Sequence, residues 1–398
     1  MRVVVTTESR YVRTPDRRVW TRSIPDYQFW RRYLNAFERV QVVARVAEQP
    51  NVPTDALAVE GDGVEVTALP YYVGPNGYLR QRARIGRVLA GVAGVEDAVI
   101  LRVPSALGSL LASVRIRQGL PYALEVVGDP YDVFAPGVIR HPLRPLLRRR
   151  FAARLRHECR AAVAASYVTE SYLQSRYPTA PGSPAAAVSS IDLPSEAVAA
   201  TPRSVERCAV KPATIVTVGT LDQLYKGFDT LIRAVALLAG TGHDVHLVHL
   251  GTGRFRADLE TLAARLGVAD RVTFAGWVPA GAALRGRLDG ADLFVMPSRT
   301  EGLPRALIEG MARGLPALGT AVGGIPELLA PDDLVPPDDP AALAIAIRRL
   351  LADPGRMATA SARNLARARS FSRELLALRR DAFYQAVREA TARRSVPA

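Results

Sequence analysis

Lysine is almost missing from this chain. Among 52 basic residues only Lys211 and Lys226 are lysines; the rest are arginines. Cysteine is as scarce, with Cys159 and Cys208 far apart and in no C-x-x-C pair. Neither a disulfide framework nor a cysteine zinc site finds support. A reducing cytoplasm is the expected compartment. No apolar run approaches the roughly 20 residues of a membrane-spanning helix. The opening MRVVVTTESRYVR breaks from apolar to polar at once and reads as a first strand, not a signal peptide. The D-x-D pattern of many metal-dependent sites is absent.

Acidic residues are also short: 38 against 52 basic ones, a net charge of +14. An excess of that size favours anionic partners such as sugar nucleotides, phospholipid surfaces, acidic glycans or nucleic acid. A general habit of coding arginine would give the same excess. Nucleic acid is disfavoured, because aromatic platforms and recognition motifs are lacking. A hydrophobic content of 48% excludes wholesale disorder, and 398 residues are enough for two domains.

The first half alternates strands with helices. VVVT (3–6), VQVVARV (40–46), VEVTALP (64–70), AVILRV (98–103) and PYALEVV (121–127) read as strands, and FWRRYLNAF (29–37) reads as an amphipathic helix. Apolar runs without alternation predict strands buried on both faces, hence a parallel sheet covered by helices. The pattern dissolves through LPSEAVAATPRSVERCAVKPA, a linker placed at 196–212. A second series follows with strands at 214–219, 246–251, 271–276, 292–298 and 316–320, and with helices starting at Phe228, Arg256 and Arg305. The expected organisation is α/β, two doubly wound Rossmann-like domains. They span 1–195 and 213–370, and a last helix over 371–395 packs back on the first.

The chemistry concentrates in the second series. Lys226 and Gly227 sit in a strand-to-helix turn, since Phe228, Leu231, Ile232, Val235 and Leu238 repeat at helical spacing just after them. Helix N-termini at the carboxyl ends of strands attract anions. An ammonium there adds a compact point charge that the arginine fork does not. Lys226 is therefore either a phosphate contact or a solvated turn residue. GTGRFR (251–256), with Gly251, is a further tight turn; it lacks the third glycine of G-x-G-x-x-G. In PSRTEGLPRALIEG, Glu301 lies in a loop and Glu309 in the helix that Pro304 opens. Two carboxylates so placed suit paired hydroxyls, of which sugars and ribose are rich. Gly302, Gly323 and Gly324 mark backbone that comes close to something. His243, His246 and His249 approach or occupy a strand whose period of two separates neighbours, so a shared metal is not expected there.

These residues carry a resemblance. EGLPRALIE with its E-x7-E spacing, preceded by ADLFVMPS and followed by GLPALGTAVGGIPELL, resembles glycosyltransferase family 4, as do VGTLDQLYKGFDTLIRAV and RVTFAGWVP. Members of that family are retaining transferases of the GT-B fold, whose two domains face a cleft, and they use sugar nucleotides. The resemblance implies that Lys226 neutralises the donor diphosphate, that Glu309 holds the ribose, and that Glu301 holds the transferred sugar with backbone N–H groups of Gly302 and Leu303. Val278 would meet the base. Gly227, Gly251, Thr220 and Arg254 complete the donor side, with Arg254 supplying a cation where the family has arginine in place of Thr220. The family's N-terminal histidine is replaced by Gly128 and Asp129; Asp129 would orient a hydroxyl, act as base, or cap a helix. Arg10, Arg13, Gly128 and Tyr131 are assigned to the acceptor. No cofactor and no metal is implied, the UDP-, GDP- or dTDP-linked sugar being a substrate. The acceptor would be a glycan, a lipid-linked sugar or a small molecule. A non-catalytic sugar-nucleotide binder is the alternative. The arginine-rich segment 138–162 is either a solvated helix or a peripheral contact with the anionic inner membrane face.

Overall fold

The computed structural model describes residues 1–22, 24–134, 142–209 and 212–395. The chain divides into two units: Met1–Gly128, Ala152–Val188 and Ala377–Ala398 form one, and Asp129–Phe151 with Ser189–Leu376 form the other. Before the last helix, the first unit thus reaches Val188 where the sequence suggested 195, and the stretch 129–151 falls in the second unit.

In the first unit, β1 (Arg2–Arg13), β3 (Arg39–Glu48), β5 (Val64–Leu69), β6 (Ala98–Val103), β7 (Ala123–Val126), β8 (Ala164–Tyr167) and β9 (Ala185–Ala187) run parallel. Two short strands extend the edge: β2 (Val19–Thr21) pairs antiparallel with the end of β1, and β4 (Leu57–Ala58) pairs antiparallel with β2. They were not foreseen. Nor was the length of β1, which continues past its apolar core to Arg13. The register shifts between Thr6 and Arg10, and the polar half of the strand then finds β2 as a new partner.

The segment FWRRYLNAF is not one amphipathic helix. Asp26 caps a single turn, Tyr27–Trp30, by accepting the Phe29 N–H at 3.0 Å, and a 3₁₀ stretch covers Arg31–Asn35. The tighter winding aligns i with i+3. That brings Trp30 and Tyr33 to the same side, and both are fully buried.

The last helix, Arg373–Ser395, buries Leu376, Phe383, Tyr384 and Val387, at spacings of i, i+7, i+8 and i+11. Phe383, Tyr384 and Val387 join the core of the first unit, where Tyr384 stacks on Tyr33 with ring centres 4.6 Å apart. The aliphatic positions Leu375, Leu378, Ala382 and Val387 suggest a loosely helical stripe from sequence; Val387 is buried, but Ala382 is exposed and Leu375 and Leu378 are 43% and 70% exposed. The stripe turns on the aromatic pair, and an aliphatic count missed it by one position.

The second unit has six parallel strands: β10 (Ala213–Val218), β11 (Val245–Leu250), β12 (Val272–Gly276), β13 (Leu293–Met296), β14 (Ala317–Thr320) and β15 (Leu334–Val335). Their order is β12-β11-β10-β13-β14-β15. The order reverses between β10 and β13, and such a point opens a crevice at the carboxyl ends of the strands. Helix Phe228–Gly240 seals one face with Phe228, Leu231, Ile232, Val235 and Leu238, each at most 3% exposed. Each such side chain contributes about 1.5–3 kcal/mol of burial.

Residues 199–209 are not a free linker. The Ala199 N–H donates to the Ala312 carbonyl at 2.7 Å. Arg203 reaches the Ala291 and Leu288 carbonyls, and its own N–H donates to Ser361. A short helix then buries Cys208 in the core of the second unit. Backbone groups placed against a core need partners, and this stretch finds them on the second unit. Lys211 and the residues 138–141 of the arginine-rich segment lie outside the described residues; most of the rest of that segment is the helix Arg144–Ala161.

Candidate functional site

The switch point is where the chemistry gathers. After β10 the chain turns through a 3₁₀ stretch, Leu224–Lys226, and enters helix Phe228–Gly240 at Gly227. Gly227 adopts φ +68°, and a Cβ on it would stand 1.8 Å from the Pro297 carbonyl oxygen. No other residue lets the Lys226 turn press so closely on the loop after β13. The lysine stem lies across Gly219, and its ammonium meets Glu301 Oε1 at 2.7 Å. The Ser298 hydroxyl donates to the same oxygen at 2.7 Å. Two residues 75 positions apart thus meet because β10 and β13 are neighbours.

Lys226 is 22% exposed and Glu301 8%. Burial pulls the ammonium pKa down, but the opposed Glu301 carboxylate and the Tyr225 ring push it further up, and the net value stands above the usual lysine value. The lysine therefore stays charged in a half-buried place. Lys226 is thus ion-paired with Glu301 and partly buried, not freely solvated.

Sequence reading missed Arg299, which fixes this geometry. Its guanidinium is 11% exposed. It donates to the Leu224 carbonyl, to both oxygens of Asp229 at 2.9 and 2.8 Å, to Thr230 Oγ1 at 3.3 Å and to Asp338 at 2.5 Å. Its own N–H donates to the Tyr225 carbonyl at 2.7 Å. Every donor of the side chain is engaged. The residue fastens the lysine turn, the first turn of helix Phe228–Gly240 and the loop after β15 to the loop that carries Glu301. The one sequence signal was an arginine two positions before that glutamate.

Glu309 differs. It lies in helix Arg305–Ala312, half-buried, and among the described residues its carboxylate has no hydrogen-bond or ion-pair partner. Burial raises its pKa, with Arg305 opposing more weakly. A desolvated carboxylate without a partner is costly, and such groups cluster at functional sites. Gly302 lies beside Glu301, and its carbonyl accepts the Gly324 N–H at 2.7 Å. At Gly323, φ +55°, a Cβ would stand 2.0 Å from the Glu301 carbonyl oxygen. The close approach that these glycines permit is therefore made by the protein's own Glu301 loop. Leu303 is 8% exposed.

Of the remaining donor-side residues, Gly251 lets the ends of β10 and β11 converge: a Cβ there would stand 1.9 Å from the Gly219 carbonyl oxygen. Arg254 donates through Nε to the Asp222 carbonyl at 2.8 Å, and Thr220 bonds the Asp222 carboxylate at 3.1 Å. Both are exposed, and both hold the loop. Val278 follows β12 and is half-buried beside Trp277, which is 60% exposed.

On the acceptor side, Asp129 is 3% exposed and accepts the Tyr131 N–H at 2.7 Å, so its carboxylate is the N-cap of the turn Pro130–Val133. Of the roles open to it, the structure displays the cap. Gly128 precedes it. Tyr131 lies under the Arg148 guanidinium, 3.5 Å from the ring centre. Arg13 pairs with Glu48 at 2.6 Å, and Arg10 is exposed on β1.

The histidines separate. His249 is 2% exposed, packs on Phe228, and burial pushes its pKa down to about 4, so it is a neutral core residue. His246 instead bonds Thr273 at 2.8 Å, and His243 sits beside Thr241 at 3.1 Å. These two make polar contacts, whereas His249 packs in the core.

Residues 212–353 match the family model for Glycosyl transferases group 1. Protein CapJ of Staphylococcus aureus is 26% identical over 336 residues, 81% of this chain and 80% of that protein. Among solved structures, sucrose-phosphate synthase from Thermosynechococcus elongatus superposes with a TM-score of 0.70 at 20% identity, covering 97% of this chain and 98% of the other. HepE of Anabaena, solved in complex with UDP-glucose, superposes with a TM-score of 0.63 at 16% identity, covering 96% and 98%. The reversed sheet order with Lys226 and Glu301 at its switch point belongs to a Glycosyl transferases group 1 domain, set in a chain with the GT-B type of fold.

Proposed function

We propose that this protein is a retaining glycosyltransferase that moves a sugar from a nucleotide sugar to a glycan, lipid-linked or small-molecule acceptor without a metal ion. The observation that carries this reading is the Lys226–Glu301 pair at the switch point of the second sheet. When the sugar–phosphate bond breaks, negative charge grows on the leaving diphosphate and positive charge on the anomeric carbon. A preorganised cation aimed at the leaving group lowers that barrier. Lys226 supplies the cation. Glu301 accepts hydroxyls of the transferred sugar, and the N–H groups of Gly302 and Leu303 orient it. Glu309, which has no partner in the ligand-free structure, takes the ribose hydroxyls. Arg299 keeps the lysine at its place throughout. The relative solved with UDP-glucose supports a nucleotide sugar as donor. A pure binder would need no lysine held against a glutamate so rigidly.

Exposed Leu143 and Leu146 beside the arginines of helix Arg144–Ala161 support a peripheral contact with an anionic membrane. No helix of the described residues is long and apolar enough to cross one.

The test is transfer from UDP-, GDP- and dTDP-sugars in the presence of EDTA, with the anomeric configuration of the product read by NMR. Turnover of one donor in EDTA with retained configuration is expected. Inversion, or activity lost to EDTA and restored by magnesium or manganese, would overturn the mechanism. Binding without turnover across an acceptor panel would favour the non-catalytic alternative.

A further inference from the structure

A second charged cluster lies in the first unit, at the carboxyl ends of β6 and β7. Arg102 and Glu125 face each other across the two strands and form an ion pair. The Tyr33 hydroxyl donates to Glu125 Oε1 at 2.6 Å, and the Tyr384 hydroxyl stands 3.4 Å from the same oxygen. Glu125 is 7% exposed. So far this is a satisfied buried pair.

Two more arginines converge on it. Arg32 comes from the 3₁₀ stretch and lies flat on Phe29, 3.6 Å from the ring centre. The other face of the same cluster brings Arg102 to within 4.8 Å of that ring. Arg380 comes from the last helix. Among the described residues neither Arg32 nor Arg380 has an ion-pair partner, and the Nε of each is buried without a hydrogen bond. Glu125 is the carboxylate that faces both, and Arg102 already occupies it. Three guanidinium groups therefore share one carboxylate, and two positive charges are left uncompensated in a half-buried place. Burial, followed by the charge of Arg32, pulls the Arg380 pKa below its ordinary value, whereas Glu125 and the neighbouring tyrosines outweigh burial and hold Arg32 and Arg102 above theirs, so Arg380 is the least compensated of the three.

Uncompensated buried charge is costly, and proteins keep it where a ligand completes the pairing. Two planar forks match the oxygens of a carboxylate or a phosphate. The position also fits, because open α/β sheets take ligands at the carboxyl ends of their strands. We propose that Arg32, Arg102 and Arg380 form a binding site for an anionic oxygen group, a carboxylate or a phosphate, carried by the sugar acceptor. The link to the acceptor rests on the glycosyltransferase reading. The anion site itself does not.

The experiment is calorimetric titration of the full chain with inorganic phosphate, glucuronate and neutral glucose at constant ionic strength. It uses the wild type, Arg32→Gln, Arg380→Gln and Lys226→Ala. Saturable binding of phosphate or glucuronate is expected, with glucose inert. Which anion binds names the source of the charge. The Kd should weaken at least about tenfold in each arginine variant and hold in Lys226→Ala, which separates this site from the donor phosphates. Both glutamine variants should melt no lower than the wild type, since each removes an unpaired charge. As a check on unaltered protein, the Trp30 indole N–H, bonded to the Tyr11 hydroxyl at 3.1 Å and packed on Phe29, should shift in NMR spectra on titration. Absence of saturable binding and of that shift overturns the proposal. So does binding that survives both arginine substitutions, or that is abolished by Lys226→Ala. Loss of donor turnover with this anion binding intact would instead count against the transferase reading alone.

Discussion

Replacing Arg299 by lysine keeps the charge and removes the fork. The structure gives the size of the effect. Arg299 makes a two-pronged contact with Asp229 at 2.9 and 2.8 Å, reaches Asp338 at 2.5 Å, and holds the Leu224 carbonyl and Thr230. A single ammonium can serve one of these carboxylates. Hydrogen bonds to charged groups contribute about 1.5–3 kcal/mol each in net terms. Asp338 is 48% exposed, so its share is screened. The expected loss is about 2–3 kcal/mol, since lysine retains part of the attraction to Asp229. In a unit of this size that lowers the melting temperature by roughly 4–10 °C. The functional consequence is separate. The turn bearing Lys226 hangs on the Leu224 carbonyl, held by the Arg299 guanidinium, and on the Tyr225 carbonyl, held by the Arg299 backbone N–H; the substitution releases the first and keeps the second. A shift of about 1 Å at a reacting group can cost on the order of 100-fold. Arg299→Lys should therefore lower kcat about 10- to 100-fold, with the KM for the nucleotide sugar changed less than about threefold. Steady-state kinetics with a thermal melt reads both. Wild-type kcat and melting temperature together would refute the reasoning; a lowered melting temperature with kcat intact would leave Arg299 a structural tie only.

Other outcomes follow from the same geometry. Glu309→Gln should weaken donor binding about tenfold, yet stabilise the protein at neutral pH. Burial raises the folded pKa of Glu309 above its ordinary value, so its contribution to stability is full below the unfolded value and is lost as pH rises through the folded one. The glutamine variant escapes that loss, and its advantage in a melt should vanish below about pH 4; an advantage independent of pH would contradict the account. Gly323→Ala puts a methyl group into the space of the Glu301 carbonyl at φ +55°, and should cost about 2 kcal/mol or more while lowering kcat. A variant with unaltered melting and kinetics would show that the Glu301 loop tolerates displacement.

Much of the second unit was legible in the sequence because local signals agree there. The apolar stripe from Phe228 to Leu238, Pro304 at the entry of its helix, and Gly227 in the lysine turn each constrain the chain within a few residues. That Lys226 and Glu301 belong to one site was suggested by their strand-end positions. That they touch follows only from β10 lying beside β13. Arg299 stayed hidden for that reason: its partners at 224, 229 and 338 are far away in sequence, and no local pattern announces a fork with every prong in use. The first unit was read less well. Three aromatics within five residues wind Arg31–Asn35 into a tighter coil than the helix expected of it. The polar half of β1 finds a partner that polarity alone did not suggest. In the last helix Phe383 and Tyr384 rotate the buried stripe away from Leu375 and Leu378.

The most direct measurement is single-turnover transfer from the nucleotide sugar by Lys226→Ala, set beside the wild type and Lys226→Arg. Loss of one preorganised charge-stabilising contact costs on the order of 100- to 1,000-fold in rate. Lys226→Ala should fall by that much in the chemical step, with Glu301 left to Ser298 alone. Lys226→Arg should also be impaired, because the broad planar fork does not replace a compact point charge on a stem packed against Gly219. Transfer at the wild-type rate in both variants would contradict the claim that Lys226 carries the charge of the leaving group.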